Sequence, residues 1–376
     1  MKKFSKYGVF LFVVIALVVS GSILLVTLTA ESMPSSPSYL PPELTDDKQL
    51  TPDCKQDSTK ALEYPTDHYT VFVFTGRWRL RFLKIQFPYL YANLRVNGGI
   101  IDRIMYMMIK YDRTTHDHLL YLATTVNRLL QQEVIVINYM GNAPYNPTGV
   151  FVPAYYGIIE DVLRNPKNKY FKVDDDVIYI HPGTFESMIK SNNSTPCTLK
   201  FGNIAGANWR CSHIHQSMGL FDNANINPKG LKFDFDTHAK CGWKSVECAQ
   251  LSLNTFLSLY MENQLYKYHF NGTLSLPDRM RFSINFFMID NETINFKALI
   301  ESLPMHGDDE HWWTSLYVQK TQPHCVVGNS LVVHFSYFTT LEALMANASL
   351  INYFEQIADK EHSDMPQEVW KILRSG

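Results

Sequence analysis

The chain of 376 residues sets 34 Lys and Arg against 36 Asp and Glu, a formal net charge of −2, with 46% apolar and 13% aromatic residues. That balance excludes a nucleic-acid-binding surface built on bulk basic charge, and the apolar share excludes a polar, disordered chain. Its six cysteines lack the paired C-x₂-C spacing of a structural zinc site, which sets zinc aside.

Lys2, Lys3 and Lys6 precede 24 uncharged, mostly apolar residues from Tyr7 to Ala30, about 36 Å as a helix. This predicts a transmembrane signal anchor over 7–30 with residues 1–6 as its cytosolic tail, since flanking lysines stay inside. A cleaved signal peptide competes, because Ala30 and nearby small residues suit cleavage, but the run exceeds a typical signal core. Residues 31–68 are rich in Pro, Ser, Thr and Asp without an apolar period and read as a stem. The body, 69–376, then lies in the lumen. Sequons at Asn192, Asn193, Asn271, Asn291 and Asn347, with an even set of cysteines (Cys54, Cys197, Cys211, Cys241, Cys248, Cys325), accord with that compartment. Cys197 with Cys211 and Cys241 with Cys248 are the nearest pairs in sequence, and sequence leaves the connectivity open.

Within the body, Thr70–Thr75 predicts a first strand ended by Gly76, followed by a helix over Arg81–Leu94. A second strand over Ile104–Ile109 is closed by Asp112, and a helix over Asp117–Gln132 follows with Asp117 near its start. Val134–Tyr139 is a third strand, and Tyr155–Arg164 a helix stopped before Pro166. This alternation predicts a parallel sheet with helices on both faces, whose ligands sit beyond the carboxyl ends of the strands. Arg77, Arg79, Arg81 and Lys84 form a basic cluster that either faces phosphate or is a solvated helix face.

The run Tyr170–Ile180 (YFKVDDDVIYI) places three aspartates inside an apolar strand. Alternation along a strand points Asp174 and Asp176 the same way with Asp175 opposed. Packed carboxylates repel unless a cation sits between them, and Mg²⁺ or Mn²⁺ with substrate phosphates suits such a pair. The second half is less regular. It predicts a helix over Glu247–Gln264, strands over Ser283–Ile289 and Ser330–Tyr337, and a C-terminal helix over Leu341–Ala358. Trp312 and Trp313, in HGDDEHWWT, offer rings to an acceptor sugar, although a Trp pair is commonly core. His213 and His215 share a face if extended, without an evident third metal ligand.

The anchor and stem, the βαβ half, the D-D-D strand, the late acidic motif and the C-terminal histidine together resemble the GT-A glycosyltransferases of type II Golgi topology. The D-D-D strand is similar to that of the β-1,3-glycosyltransferase group. Its pairing with V-V-H-F-S-Y resembles uncharacterised glycosyltransferases of fungi, algae and bacteria. The resemblance covers roughly residues 69 to 340. It implies an α/β fold of GT-A (Rossmann-like) type, a mixed sheet flanked by helices behind an N-terminal transmembrane helix, and a hexosyltransferase activity. Its partners would be a nucleotide-sugar donor, UDP-linked from the class, and a glycan or glycoprotein acceptor, with no nucleic acid.

By the same resemblance Asp174 and Asp176 bind the cation, Mn²⁺ or Mg²⁺, with His334 completing the site. Asp174 and Asp175 approach the donor, and Thr75, Gly76 and Asp112 border the nucleotide. The catalytic base comes from the acidic motif (Asp308, Asp309, Glu310), with Asp309 best matched and Glu310 its rival. Two other functions compete. A catalytically inactive GT-A-like domain would bind glycans or proteins without turnover. A lumenal sulfotransferase would need a phosphate-cradling loop after the first strand, and TGRWRLRF lacks the second glycine and the hydroxyl residue.

Overall fold

The computed structural model describes residues 68–76, 78–109, 112–139, 155, 158, 161, 168–191, 197–234, 241–277, 280–289, 309–311, 313–314 and 323–375. The proposed tail and anchor, the stem up to residue 67, Cys54, Asp308, Trp312 and the sequons at Asn192, Asn193 and Asn291 lie outside them. Among the described residues no helix is long and apolar enough to cross a membrane.

The first half follows the expected alternation. β1 (Tyr69–Thr75), β2 (Arg103–Met108), β3 (Ile135–Tyr139) and β4 (Lys169–Asp174) pair in parallel in the order β3-β2-β1-β4. Val71, Phe72, Val73, Phe171 and Val173 are wholly buried, as expected of central parallel strands covered on both faces. α1 (Leu80–Ala92) follows β1 and α2 (Arg113–Leu130) follows β2. The second helix starts four residues before Asp117. Asp112 is its N-cap, accepting a hydrogen bond from the Thr115 amide at 2.9 Å.

The sheet as a whole is mixed, not parallel throughout. Beyond β4 it continues through β8 (Phe286–Ile289), β6 (Leu199–Gly206), β9 (Cys325–His334) and β5 (Val177–Ile180), with β7 (Thr273–Ser275) on the first part of β9. β8 runs antiparallel to both β4 and β6, and β9 runs parallel to β6. Two reversals restore direction, so His334 at the end of β9 points to the same edge as Asp174 at the end of β4.

The Asp triplet ends one strand and turns into another. Asp175 and Asp176 form a turn between β4 and β5, although β8, β6 and β9 lie between those strands in the sheet. Four strand spacings of about 4.8 Å make a flat distance of about 19 Å. Three residue steps from Asp174 to Val177 reach at most about 11 Å. The sheet must therefore curl, and register shifts in the β6–β9 and β5–β9 pairings mark where it does. Curling brings the ends of β4, β6 and β9 together.

The remaining helices are α3 (Thr184–Lys190), α4 (Trp209–Ser217), α5 (Val246–Met261), α6 (Leu341–Met345), α7 (Ala348–Glu361) and α8 (Gln367–Arg374). The single helix predicted over Leu341–Ala358 is thus two, interrupted at Ala346–Asn347, and α8 follows beyond it. His213 and His215 lie in α4, two residues apart and on different faces. His215 is buried with Nε2 2.6 Å from Asn203 Oδ1, and His213 Nδ1 lies 3.0 Å from the Phe233 carbonyl. They form no metal pair.

Disulfides join Cys197 to Cys325 and Cys241 to Cys248, while Cys211 is free and buried. The first ties the approach to β6 to the start of β9 across a sequence separation of 128 residues. A cross-link over so long a loop removes much unfolded-chain entropy, so replacing both partners (Cys197→Ser with Cys325→Ser) should cost about 2–5 kcal/mol. Urea unfolding of the purified variant checks this, and an unchanged midpoint would refute it.

Candidate metal and donor site

A cleft of about 410 Å³ opens at the carboxyl edge of the sheet, within the range of small-molecule sites. It is lined by the ends of β1 and β4, the start of β8, the end of β9 and the short helical turn Asp309–His311. Thr75, Gly76, Asp174, Asp175, Asp176, Asp309, Glu310 and His334 all line it. Because the triplet is a turn, Asp175 faces the cleft with its neighbours, against the alternation expected of a strand.

Gln86 on α1 fixes this turn. Its buried Nε2 donates to the carbonyls of Asp174 at 2.7 Å and Val177 at 2.9 Å. Two carbonyls at the break between strands are thereby satisfied, each of which would otherwise cost about 1–3 kcal/mol. The other side is held by Asn285, just before β8, whose carbonyl accepts from the Asp174 amide at 2.8 Å and whose Nδ2 donates to Asp174 Oδ2 at 2.9 Å.

Asp174, Asp176 and His334 each offer one ligand atom, and the three atoms lie within 4.8 Å of one another. The turn after β6 orients the imidazole. Gly206 has φ of 85°, and a Cβ there would stand 2.2 Å from the His334 carbonyl, so only glycine admits this approach. The following Ala207 donates its amide to the His334 carbonyl at 2.8 Å, and its own carbonyl lies 2.8 Å from His334 Nδ1. A carbonyl only accepts, so Nδ1 carries a proton, and a neutral ring would turn its Nε2 lone pair toward Asp176 Oδ1, 3.0 Å away. Two acceptors face each other there unless a cation lies between them or the ring is protonated. Burial pushes His334 down, but Asp176 outweighs it and raises the ring's pKa. A histidine fixed through its other nitrogen beside two carboxylates fits a divalent cation.

The chain supplies cations of its own. Arg79, next to the start of α1, lies with Nε 3.5 Å from Asp175 Oδ1 and Nη1 3.2 Å from Asp176 Oδ2. Against the upward push of burial, His334 and Arg79 hold Asp176 well below the usual carboxylate range, and Ser336 Oγ donates to it at 3.2 Å. Burial drives Asp175 up to about 7 despite Arg79. Lys172, buried in β4 two residues before Asp174, pairs with Asp174 and donates to the Ile284 carbonyl at 2.7 Å.

The acidic motif splits in role. Asp309 is partly exposed to the cleft; its Oδ2 accepts from Tyr155 Oη at 3.0 Å. Burial lifts it to about 6, with Lys172 and the Tyr155 hydrogen bond opposing the rise. Glu310 accepts from Arg281 Nε at 2.6 Å.

Two expected contacts are not made. Asp112 does not line the cleft. Both its oxygens are taken by Thr115, and Oδ2 also accepts from the Trp78 amide at 3.0 Å, so it anchors the loop after β1. Trp313 is 1% exposed, with its ring against Tyr155 and Phe287, so it is core and presents no face to a sugar. Sequence reasoning missed Gln86, Lys172, Asn285 and Ser336, each a polar residue in an apolar run. It left Arg79 open within a basic cluster that the structure divides, since Arg81 pairs with Glu355 and Lys84 donates to the Ser375 carbonyl.

The ligand set has a direct check. Mn²⁺ titration followed by electron paramagnetic resonance should show one site in the native chain and none in Asp176→Ala. Asn285→Ala, which removes a bond orienting a ligand, should weaken binding about 10- to 100-fold. Equal affinity in all three would remove these residues from the metal site.

No protein-family model matches the chain, and no curated protein matches it in sequence. Solved structures align with it at low similarity. The 4-diphosphocytidyl-2C-methyl-D-erythritol synthase of Anaerococcus prevotii is 11% identical at a TM-score of 0.35, over 76% of this chain and 96% of that one. S. aureus TarS 1–349 is 10% identical at 0.38, over 76% and 65%. Glucosyl-3-phosphoglycerate synthase from Mycobacterium tuberculosis, in complex with Mn²⁺ and UDP-glucose, is 9% identical at 0.27, over 42% and 50%. The chain thus spans about two thirds of the second protein and half of the third.

Proposed function

We propose that this chain is a metal-dependent glycosyltransferase of GT-A type. It moves a hexose from a nucleotide-sugar donor, UDP-linked, to a hydroxyl of a glycan or glycoprotein, with inversion at the anomeric carbon. The observation that carries this reading is the meeting of Asp174, Asp176 and His334 in one cleft with the half-buried carboxyl of Asp309. A divalent cation held by those three residues would neutralise charge on the departing nucleoside diphosphate.

The chain's own residues supply the rest. Thr75 and Gly76 border the nucleotide at the end of β1, where a parallel sheet places its ligands. Arg79 brings a guanidinium to the diphosphate side of the cleft and holds Asp175 and Asp176 in place. Asp309 takes the proton from the acceptor hydroxyl as its oxygen bonds to the anomeric carbon. The bond from that carbon to phosphate oxygen breaks, and its electrons leave with the nucleoside diphosphate. Tyr155 holds Asp309 in position, and a base already in place favours a single displacement. Glu310 is bound to Arg281 and less free to act.

The chain is placed in the Golgi or a neighbouring secretory membrane, held by the 7–30 anchor with its body in the lumen. Two disulfides and the exposed sequon residues Asn271 and Asn347 support this.

Nucleotide release from a panel of nucleotide sugars tests the reaction class. One donor should be turned over with Mn²⁺ and none with EDTA, and failure of every donor with mixed glycan acceptors would sink the proposal. Asp309→Asn should lower kcat by about 10²–10⁴. Since the base acts ionised, the native rate should rise with pH through about 6 and then level. Tyr155→Phe removes a bond that stabilises the carboxylate, so its rising limb should move to higher pH. A limb unmoved by both changes would clear Asp309 of the role.

A further inference from the structure

The cleft's rim carries an aromatic surface that the donor reaction does not use. Phe338 lines the cleft and is 90% exposed, although a ring of that size is normally buried. Its backbone is fixed. The Tyr337 amide donates to Thr340 Oγ1 at 3.1 Å, and the Thr340 amide donates to the Tyr337 carbonyl at 3.0 Å. Tyr337 is itself anchored, its hydroxyl accepting from the Trp209 amide at the start of α4.

A second exposed ring stands on the neighbouring loop. Trp243 is 45% exposed and lies in the loop closed by the Cys241–Cys248 disulfide, ahead of α5. The two loops are joined, because Thr339 Oγ1, next to Phe338, donates to the Trp243 carbonyl at 2.7 Å. Beneath them Trp209, Phe221, Phe233, Cys241, Cys248 and Leu251 form a small apolar cluster apart from the main core, and Tyr337 packs against it. Lys244 lies over the Trp243 ring at 4.6 Å, and Glu310, paired with Arg281, puts a charged group in the cleft wall.

We propose that Phe338 and Trp243 form an acceptor subsite that takes successive sugar rings of an oligosaccharide. This rests on the glycosyltransferase reading and names its acceptor class as a glycan of two or more units. The apolar C–H face of a pyranose matches an exposed aromatic face, while its hydroxyls need polar groups at the edges, and this rim offers both. Rigid loops suit the task, since little ordering entropy is lost when the sugar binds. Its place is also apt. The surface begins at the β9 end of the cleft, whereas Thr75 and Gly76 lie at the β1 end. An acceptor entering over Phe338 reaches Asp309 without crossing the nucleotide position.

The test uses the full chain in detergent and measures binding, not turnover. Gluco-, galacto-, manno- and chito-oligosaccharides of one to four units are titrated by tryptophan fluorescence and by saturation-transfer NMR. UDP with Mn²⁺ is titrated in parallel. In one of these series the trimer should bind at least about tenfold tighter than the monomer. Phe338→Ala and Trp243→Ala should each remove most of that gain, and Phe338→Leu, which stays apolar but loses the ring face, should do the same. UDP–Mn²⁺ binding should stay unchanged in all three. Length-independent binding, no binding in any series, or oligosaccharide affinities untouched by the substitutions would each overturn the subsite. A loss confined to UDP–Mn²⁺ binding would also overturn it, by giving the rings to the nucleotide. Absence of UDP–Mn²⁺ binding in the native chain would instead count against the glycosyltransferase reading, with the subsite judged separately by the oligosaccharide arm.

Discussion

Two residues joining β4 to β5 are the constraint on which the rest of this structure depends. The strands they connect stand four places apart in the sheet, and a short turn can join them only if the sheet curls. The curl brings the end of β9 to the end of β4, and His334 to Asp174. The bend and the site are therefore one feature. The carboxylates concentrated at that bend would repel one another if left alone. The chain answers with Arg79, Lys172 and His334 around them and with Gln86 behind the backbone.

That arrangement makes the site electrostatically self-sufficient. Each aspartate of the triplet has a cationic partner on the protein, so the fold can form around three carboxylates without an added ion. An entering cation must displace part of this pairing, and Arg79 is well suited to yield. It comes from outside the sheet, and its guanidinium can turn from carboxylate to phosphate with the same donors. Lys172 is more constrained, being buried and bonded to the Ile284 carbonyl as well. A fixed lysine and a redeployable arginine would give the cleft both a permanent and an adjustable positive charge.

Much of the first half was legible in the sequence, because central parallel strands are unbroken apolar runs and helices between them keep their period. The triplet was legible as carboxylates gathered at a strand end, but with the wrong local geometry, since alternation along a strand gave way to a turn. What stayed hidden shares one cause. β6 reads LKFGNIAG, with lysine, asparagine and glycine inside a wholly buried strand. Partners that only the fold supplies satisfy those groups, such as the Tyr268 and Gly328 carbonyls that accept from Asn203. The start of β9 contains Gly328 and Asn329 and reads as a turn for the same reason. Trp313 fails in the opposite sense, because neighbours distant in sequence close over it. The exposed ring is Phe338, whose neighbours Ser336, Tyr337, Thr339 and Thr340 give no period that says which way it faces.

The small apolar cluster beneath Tyr337 and the 241–248 loop has a consequence for how such a molecule can change over time. It is a cluster of its own, but Tyr337 packs against both it and the main core and stands 6.0 Å, ring to ring, from His334. Substitutions in the cluster can reshape the rim only as far as Tyr337 keeps its place, so one ring filters what change there reaches the cleft.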